Sequence, residues 1–285
     1  MAATRGVPRG SDLPLALPLA AFVLACFVAP LAVLVAVSLH ADNEIKVWSL
    51  AQYARLLGET YSLRLLGETL WLGIESTLVC LVFGYPLAWF AVRAGARVRS
   101  TLLFLVVLPI LTSVVVRTFS WIVILGKQGV LNALLQGAGL IDEPLKLLFT
   151  ETGVVMVLAQ VQLPLIVLPL MTTLSRIDPN LSSASEALGA GTWRTFLRVT
   201  LPLSVPGMVA GSILAFAACV TAFVTQTLIG GARLVYMPLF IYQQAVGANN
   251  WPLASAASVL FMLAVLAVVY ALNRIGRASR GFIYA

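Results

Sequence analysis

Long apolar runs without charge alternate along this chain with short islands of charged residues. An α-helix needs roughly 20 apolar residues to cross about 30 Å of hydrocarbon, and six runs reach that length. The first covers residues 13–39. The second lies at about 70–92 with one acid, Glu75, inside it, and the third begins at Thr101 and meets Arg117. Residues 152–175 form the fourth, whose Pro164 and Pro169 are tolerable because neighbouring helices can satisfy the carbonyls that proline frees. Residues 199–232 carry no charge, more than one span requires, so the fifth crossing is expected to end near Gly230-Gly231. The sixth occupies about 252–273. The pattern predicts an all-α polytopic membrane protein with six transmembrane helices, organised as a tail over 1–12 and one membrane domain over 13–285.

Between spans, residues 40–66 mix Trp48, Tyr53, Leu56, Leu57 and Tyr61 with charges at near-helical spacing, which predicts a helix lying on the membrane surface. A second short surface helix is expected within 129–148, where Asn132, Leu134 and Leu135 precede a turn at Ile141-Asp142-Glu143-Pro144. No fixed-period repeat interrupts the chain.

Composition sharpens this picture. Of 285 residues 60% are hydrophobic and 10% charged, too few charges to clothe a soluble domain. The net charge of +7 comes from arginines at the ends of apolar runs, not from a basic stripe that follows a phosphate backbone, so nucleic acid is excluded as a partner. Cys26, Cys80 and Cys219 lie inside apolar runs and read as small hydrophobes, and no His/Cys cluster spaces a metal site. The first run has 27 uncharged positions. A signal-peptide core has roughly 7 to 15, so it is expected to be an uncleaved span. Counting Lys and Arg on alternate sides of the spans gives eleven against six, with Arg117 at the boundary. The positive-inside rule then places both termini in the cytoplasm.

On that inner side the stretch 176–206 is too long for a simple turn. Asp178 and Pro179 supply an N-cap and a favoured first helical residue; Leu181, Ala184 and Leu188 follow at helical spacing, and Gly189 and Gly191 end the helix. Thr192 is expected to cap a second helix carrying Trp193, Phe196, Leu197 and Val199 into the fifth span at Leu201-Pro202.

With these residues the chain resembles the membrane subunits of type I ABC importers. Their inner loop reads EAA, three residues, Gly, nine residues, Ile, one residue, Leu-Pro. Here Gly189 is followed at those distances by Val199 and Leu201-Pro202, with Ala184 as the first Ala; Ser183 replaces the Glu and Ser185 the second Ala, while Glu186 lies three residues past the expected acid. The runs Arg117-Thr118-Phe119-Ser120-Trp121, Gly139-Leu140-Ile141-Asp142-Glu143-Pro144-Leu145-Lys146 and Asn250-Trp251-Pro252-Leu253 are similar to the spermidine/putrescine branch, over about 63–273. The resemblance implies a coupling helix between spans four and five that docks on an ATPase, through Ala184, Ser185, Glu186, Gly189, Ala190 and Trp193. It also implies an ATPase dimer, a second homologous permease that completes a heterodimer, and a periplasmic binding protein that docks near Asp142 and Glu143. Opines, other organic amines, phosphonates and ferric iron are alternative cargoes within the same architecture.

The only Gly-Lys pair, Gly126-Lys127, lacks the rest of a Walker A loop, so ATP is expected to be held by the partner and this chain to carry no cofactor and no enzymatic activity. Along the path, Glu75 is the lone acid inside a span and reads either as a contact for a cationic amine or as a structural carboxylate of the bundle. Tyr85, Phe119 and Trp121 offer faces for cation–π contact, or pack as ordinary interfacial aromatics. Arg117 reads as structural, since a basic side chain repels a polyamine, and the solitary His40 has no second residue for catalysis or a metal. Two other classes compete: an ion-coupled secondary transporter with Glu75 titrating, which leaves the inner glycine unexplained, and an intramembrane enzyme, which lacks a catalytic pair.

Overall fold

The computed structural model describes residues 13–44 and 46–281; the tail 1–12, expected to be cytoplasmic, lies outside them. In chain order the helices are α1 (Leu13–Ser38), α2 (Ala51–Gly58), α3 (Thr60–Arg93), α4 (Ala96–Val107), α5 (Val114–Leu125), α6 (Val130–Gly137), α7 (Glu151–Leu174), α8 (Pro179–Ala187), α9 (Thr192–Thr195), α10 (Leu201–Val220), α11 (Phe223–Gly230), α12 (Met237–Tyr242) and α13 (Trp251–Gly281). One isolated β-bridge, His40 to Trp48, is the only β-pairing among the described residues. Helices prevail because a chain in lipid must satisfy its own backbone. Among the described residues six helical stretches are long and apolar enough to cross a membrane, Leu17–Ser38, Thr60–Arg93, Val114–Gly137 (α5 with α6), Glu151–Leu174, Thr192–Val220 and Trp251–Arg277, or seven if the bent pair over 223–247 counts as one span.

Two compact units emerge among the described residues, one formed by 13–60 together with Ile241–Leu260, the other by Tyr61–Phe240 with 261–281. The second unit is built around α7. This helix has no polar face, and 61% of its most apolar stretch is buried. Val154, Val157, Leu158, Ile166 and Leu170 are fully buried in two clusters that draw on α3, α4, α5, α10 and α11. Lipid tails are as apolar as leucine, so close backbone approach has to hold these helices together. Gly211 supplies it. A Cβ there would meet Ile166 Cα at 3.0 Å and the Ile166 and Leu165 carbonyl oxygens at 3.2 Å. The Leu165 carbonyl is the one that Pro169 deprives of its helical donor, so the bare glycine lies against the proline defect of its neighbour. Hydrogen bonds add direction: Cys80 Sγ donates to Ala159 O (3.0 Å), and Tyr85 Oη and Ser204 Oγ pair at 3.0 Å.

Several boundaries depart from the sequence reading. The second span starts at Thr60 rather than near Leu70, because α3 continues the surface stretch without a break and leaves only α2 as a separate short helix. The third run is split. Residues Leu108–Leu111 form a 3-10 turn around Pro109, which cannot donate within a helix, and the guanidinium of Arg117 donates to the Pro109 carbonyl across the gap. The helix found within 129–148 is α6 alone, and it joins α5 in one membrane-length stretch, Val114–Gly137; its Asn132 pins the loop that follows, Nδ2 donating to Gly126 O and Leu145 O and Oδ1 accepting from Leu145 N.

The fifth crossing ends at Val220, not at Gly230-Gly231. There the backbone turns at Thr221 and Ala222, and Gln226 folds back so that its Nε2 donates to the carbonyls of Cys219 (2.8 Å) and Val220 (3.2 Å). Residues 223–247 are a broken pair of helices set at 88°. The sixth span begins where Asn250 caps α13, its Oδ1 accepting from Leu253 N at 3.1 Å, with Pro252 in the first turn.

Candidate functional site

The loop between α7 and α10 assembles as its local chemistry dictates. Asp178 Oδ1 accepts from Asn180 N at 2.9 Å and Pro179 opens α8. The far end closes in a Schellman arrangement: Ala190 N donates to Ser185 O (3.1 Å) and Gly189 N to Glu186 O (2.9 Å), with Gly189 at φ +82°. A left-handed residue ends the helix and turns the chain back, and glycine takes that conformation without strain.

Thr192 does not cap the next helix. Gly191 holds the cap position, and Thr192 is the first residue of α9. Helix α9 runs through a π-helical segment, Phe196–Thr200, into α10, so Thr192–Val220 is one continuous span. The π winding has a cause at Pro202, which cannot donate to the Arg198 carbonyl and whose ring crowds it; widening the turn relieves that clash, and Leu201 N reaches Phe196 O instead.

The expected ATPase-facing residues divide between two surroundings. Ala184, Glu186 and Gly189 are exposed, as are Leu181 and Leu188, the latter at 89% of its surface. Ser185 is half-buried and turned inward, its hydroxyl 3.0 Å from Thr195 Oγ1, which joins α8 to α9; Ala190 is half-buried too. Trp193 is 72% exposed and stacks on Phe196 (5.4 Å between centroids, 22° between planes). Phe196 in turn meets Tyr85 and Trp89 of α3 edge to face, at 5.7 and 6.0 Å. The loop is thereby connected to α3 by an unbroken series of aromatic contacts.

The four residues expected along a path do not share one site. Tyr85 is buried against Phe196 and Ser204, and Phe119 is exposed on α5. Trp121 lines a cavity of about 310 Å³ with Phe83, Met156 and Gln160, and its Nε1 donates to Gln160 Oε1 at 3.1 Å. Gln160 was not singled out from the sequence; an amide inside an uncharged span was the available signal. Glu75 is half-buried with no hydrogen bond or ion pair among the described residues. It acts electrostatically on the buried Tyr236 hydroxyl together with Glu68 and Glu151. Of these three acids only Glu68 is in an ion pair, with Arg64 at 2.7 Å. Asp142 and Glu143 are exposed in the loop after α6, and the Asp142 backbone carbonyl accepts from Gln136 Nε2.

This geometry can be set beside known proteins. Residues 81–278 match the family described as binding-protein-dependent transport system inner membrane component. The spermidine/putrescine transport system permease protein PotB of Escherichia coli strain K12 is 34% identical over 236 residues, covering 82% of this chain and 84% of that protein. The molybdenum transport system permease protein ModB of Azotobacter vinelandii is 31% identical over 211 residues, 72% of this chain and 92% of its own length. A chain in the crystal structure of a bacterial ABC transporter involved in the import of the acidic polysaccharide alginate has the same fold, with a TM-score of 0.74 at 19% identity over 94% of this chain and 96% of that one. A second structure of an alginate ABC transporter, in complex with an alginate pentasaccharide-bound periplasmic protein, matches at a TM-score of 0.76 and 18% identity, over 94% of this chain and 95% of that one. With six membrane-length helices among its described residues, a glycine-ended loop helix between the fourth and fifth, and relatives matched over most of its length, the chain belongs to the binding-protein-dependent transport system inner membrane components and is a multi-pass permease subunit of an ABC importer.

Proposed function

We propose that this chain passes a small organic cation of the polyamine class, spermidine or putrescine, across the inner membrane, as one half of a heterodimer with a homologous permease. Both termini face the cytoplasm in this reading, an ATPase dimer grips α8 from that side, and a periplasmic binding protein delivers cargo to the opposite face. The chain itself holds no cofactor; ATP is bound by the partner. The observation that carries the coupling role is the Gly189-ended helix, which leaves the side chains of Leu181, Ala184 and Leu188 exposed. Apolar and small side chains in that position permit close approach of another protein's surface. Movement of α8 then reaches α3 through Ser185–Thr195 and the Trp193–Phe196–Trp89 contacts.

The relatives do not agree on the charge of their cargo, since a polyamine is cationic and alginate acidic, so the choice rests on this chain's own groups. Glu75, half-buried on α3, and Glu151, the first residue of α7, are carboxylates without ion pairs among the described residues. A desolvated ammonium offsets the cost of such acids, whereas an anion raises it. Two measurements test the reading. Replacing Ala184 and Leu188 together by Glu abolishes co-purification of the ATPase while the permease still inserts; intact assembly refutes the docking role. Glu75→Gln slows ATP-driven uptake of spermidine by about tenfold in proteoliposomes holding the full importer, the factor that about 1.4 kcal/mol represents. Unchanged uptake removes Glu75 from the path, and uphill uptake by the permease without ATPase favours ion coupling.

A further inference from the structure

One cavity lies apart from the spans' acids, beside the loop. Tyr85, Pro86 and Trp89 of α3 face Thr192, Trp193 and Phe196 across a cleft of about 460 Å³ whose walls are almost wholly apolar. Over the ring of Trp89, one wall of the cleft, lies the Arg93 guanidinium, 4.1 Å from the ring centre. Stacked in this way the guanidinium keeps its N–H edges free, and it joins no ion pair among the described residues. Asp178 lines a neighbouring cavity with Arg93 but spends a carboxylate oxygen on the Asn180 amide. Arg93 is the last residue of α3 and Thr192 the first of α9, so the cleft opens where two spans leave the hydrocarbon. A cationic occupant is disfavoured, because the face of Trp89 is already taken by a cation.

We propose that this cleft holds an anionic phospholipid, one acyl chain lying between Trp89, Trp193 and Phe196 and the phosphate paired with Arg93. Charge complementarity selects the headgroup and the aromatic walls accept the chain, as basic sites beside membrane helices do for anionic lipids. The lipid then sits between the loop helices and α3, in contact with the aromatic series that joins them. The inference is independent of the cargo, and the orientation proposed above enters only in assigning the lipid to the inner leaflet.

The test uses the full chain in nanodiscs of phosphatidylcholine doped with phosphatidylglycerol carrying brominated acyl chains, which quench nearby tryptophan fluorescence. Quenching is expected to saturate at a mole fraction about fivefold lower than with brominated phosphatidylcholine. Arg93→Gln removes that preference, Arg93→Lys keeps part of it, and Arg97→Gln, on an exposed neighbour outside the cleft, leaves it intact. Replacing Trp89 and Trp193 by Phe removes the saturable component of the signal. Equal quenching by both lipids, an unaffected Arg93→Gln protein, or an equal loss in Arg97→Gln overturns the proposal. So does disappearance of the preference when the second permease is assembled, which would make the cleft a subunit interface.

Discussion

Helices α7 and α10 and the loop that joins them contain glycines whose uses are opposite. At Gly211 the backbone conformation is ordinary helix and the missing Cβ is essential, because three backbone atoms of α7 occupy the space. At Gly189 nothing lies within 4 Å of where a Cβ would be, and the conformation is what matters, φ +82°. One glycine is demanded by neighbours and the other by the chain's own turn. The membrane part is therefore specified by steric fit between distant segments, and the loop by local geometry that leaves its outer surface uncommitted.

The comparison is broken most severely by Gly211→Leu. Backbone atoms cannot rotate away, so overpacking costs at least about 3 kcal/mol and the protein is recovered aggregated from detergent, read by size-exclusion chromatography. Gly189→Ala has a smaller effect, about 1–2 kcal/mol for a left-handed alanine, confined to the turn: thermal unfolding in detergent shifts little while ATPase binding falls. Asn at the same position recovers much of the binding, since it tolerates that conformation. If Ala and Asn bind alike, the glycine is needed for contact rather than for its φ. Ser185→Ala is the mildest, removing one hydroxyl pair worth about 1 kcal/mol; it loosens α8 from α9 and raises hydrogen exchange at residues 185–195 without changing the amount of ATPase bound.

The sequence was most readable where a residue acts on its own surroundings. Asp178, Pro179 and Gly189 start and stop α8 by short-range bonding, and charge-free runs count the spans because bilayer thickness is a fixed ruler. It was least readable where a distant or folded-back side chain does the work. The break after Val220 contains no proline or glycine; Gln226 makes it by donating to two carbonyls at the end of α10, so the uncharged run 199–232 looked like one helix. The same reason hid the pairing of Trp121 with Gln160, which needs α5 and α7 side by side, and the inward turn of Ser185, whose partner Thr195 lies beyond the glycine turn. Helical spacing placed Tyr85 and Trp121 on spans but carried no information on which neighbours they would meet.

The π-helical turn at Phe196–Thr200 has a consequence for how such a loop can be retuned. An α-helix advances about 100° per residue and the π turn accommodates one extra residue, so restoring regular winding there with every residue kept would swivel α9, Trp193 and everything hung from them by about 100° around the axis of the fifth span. A change of winding at a single locus can thus re-aim the exposed loop surface while every lipid-facing residue downstream keeps its azimuth.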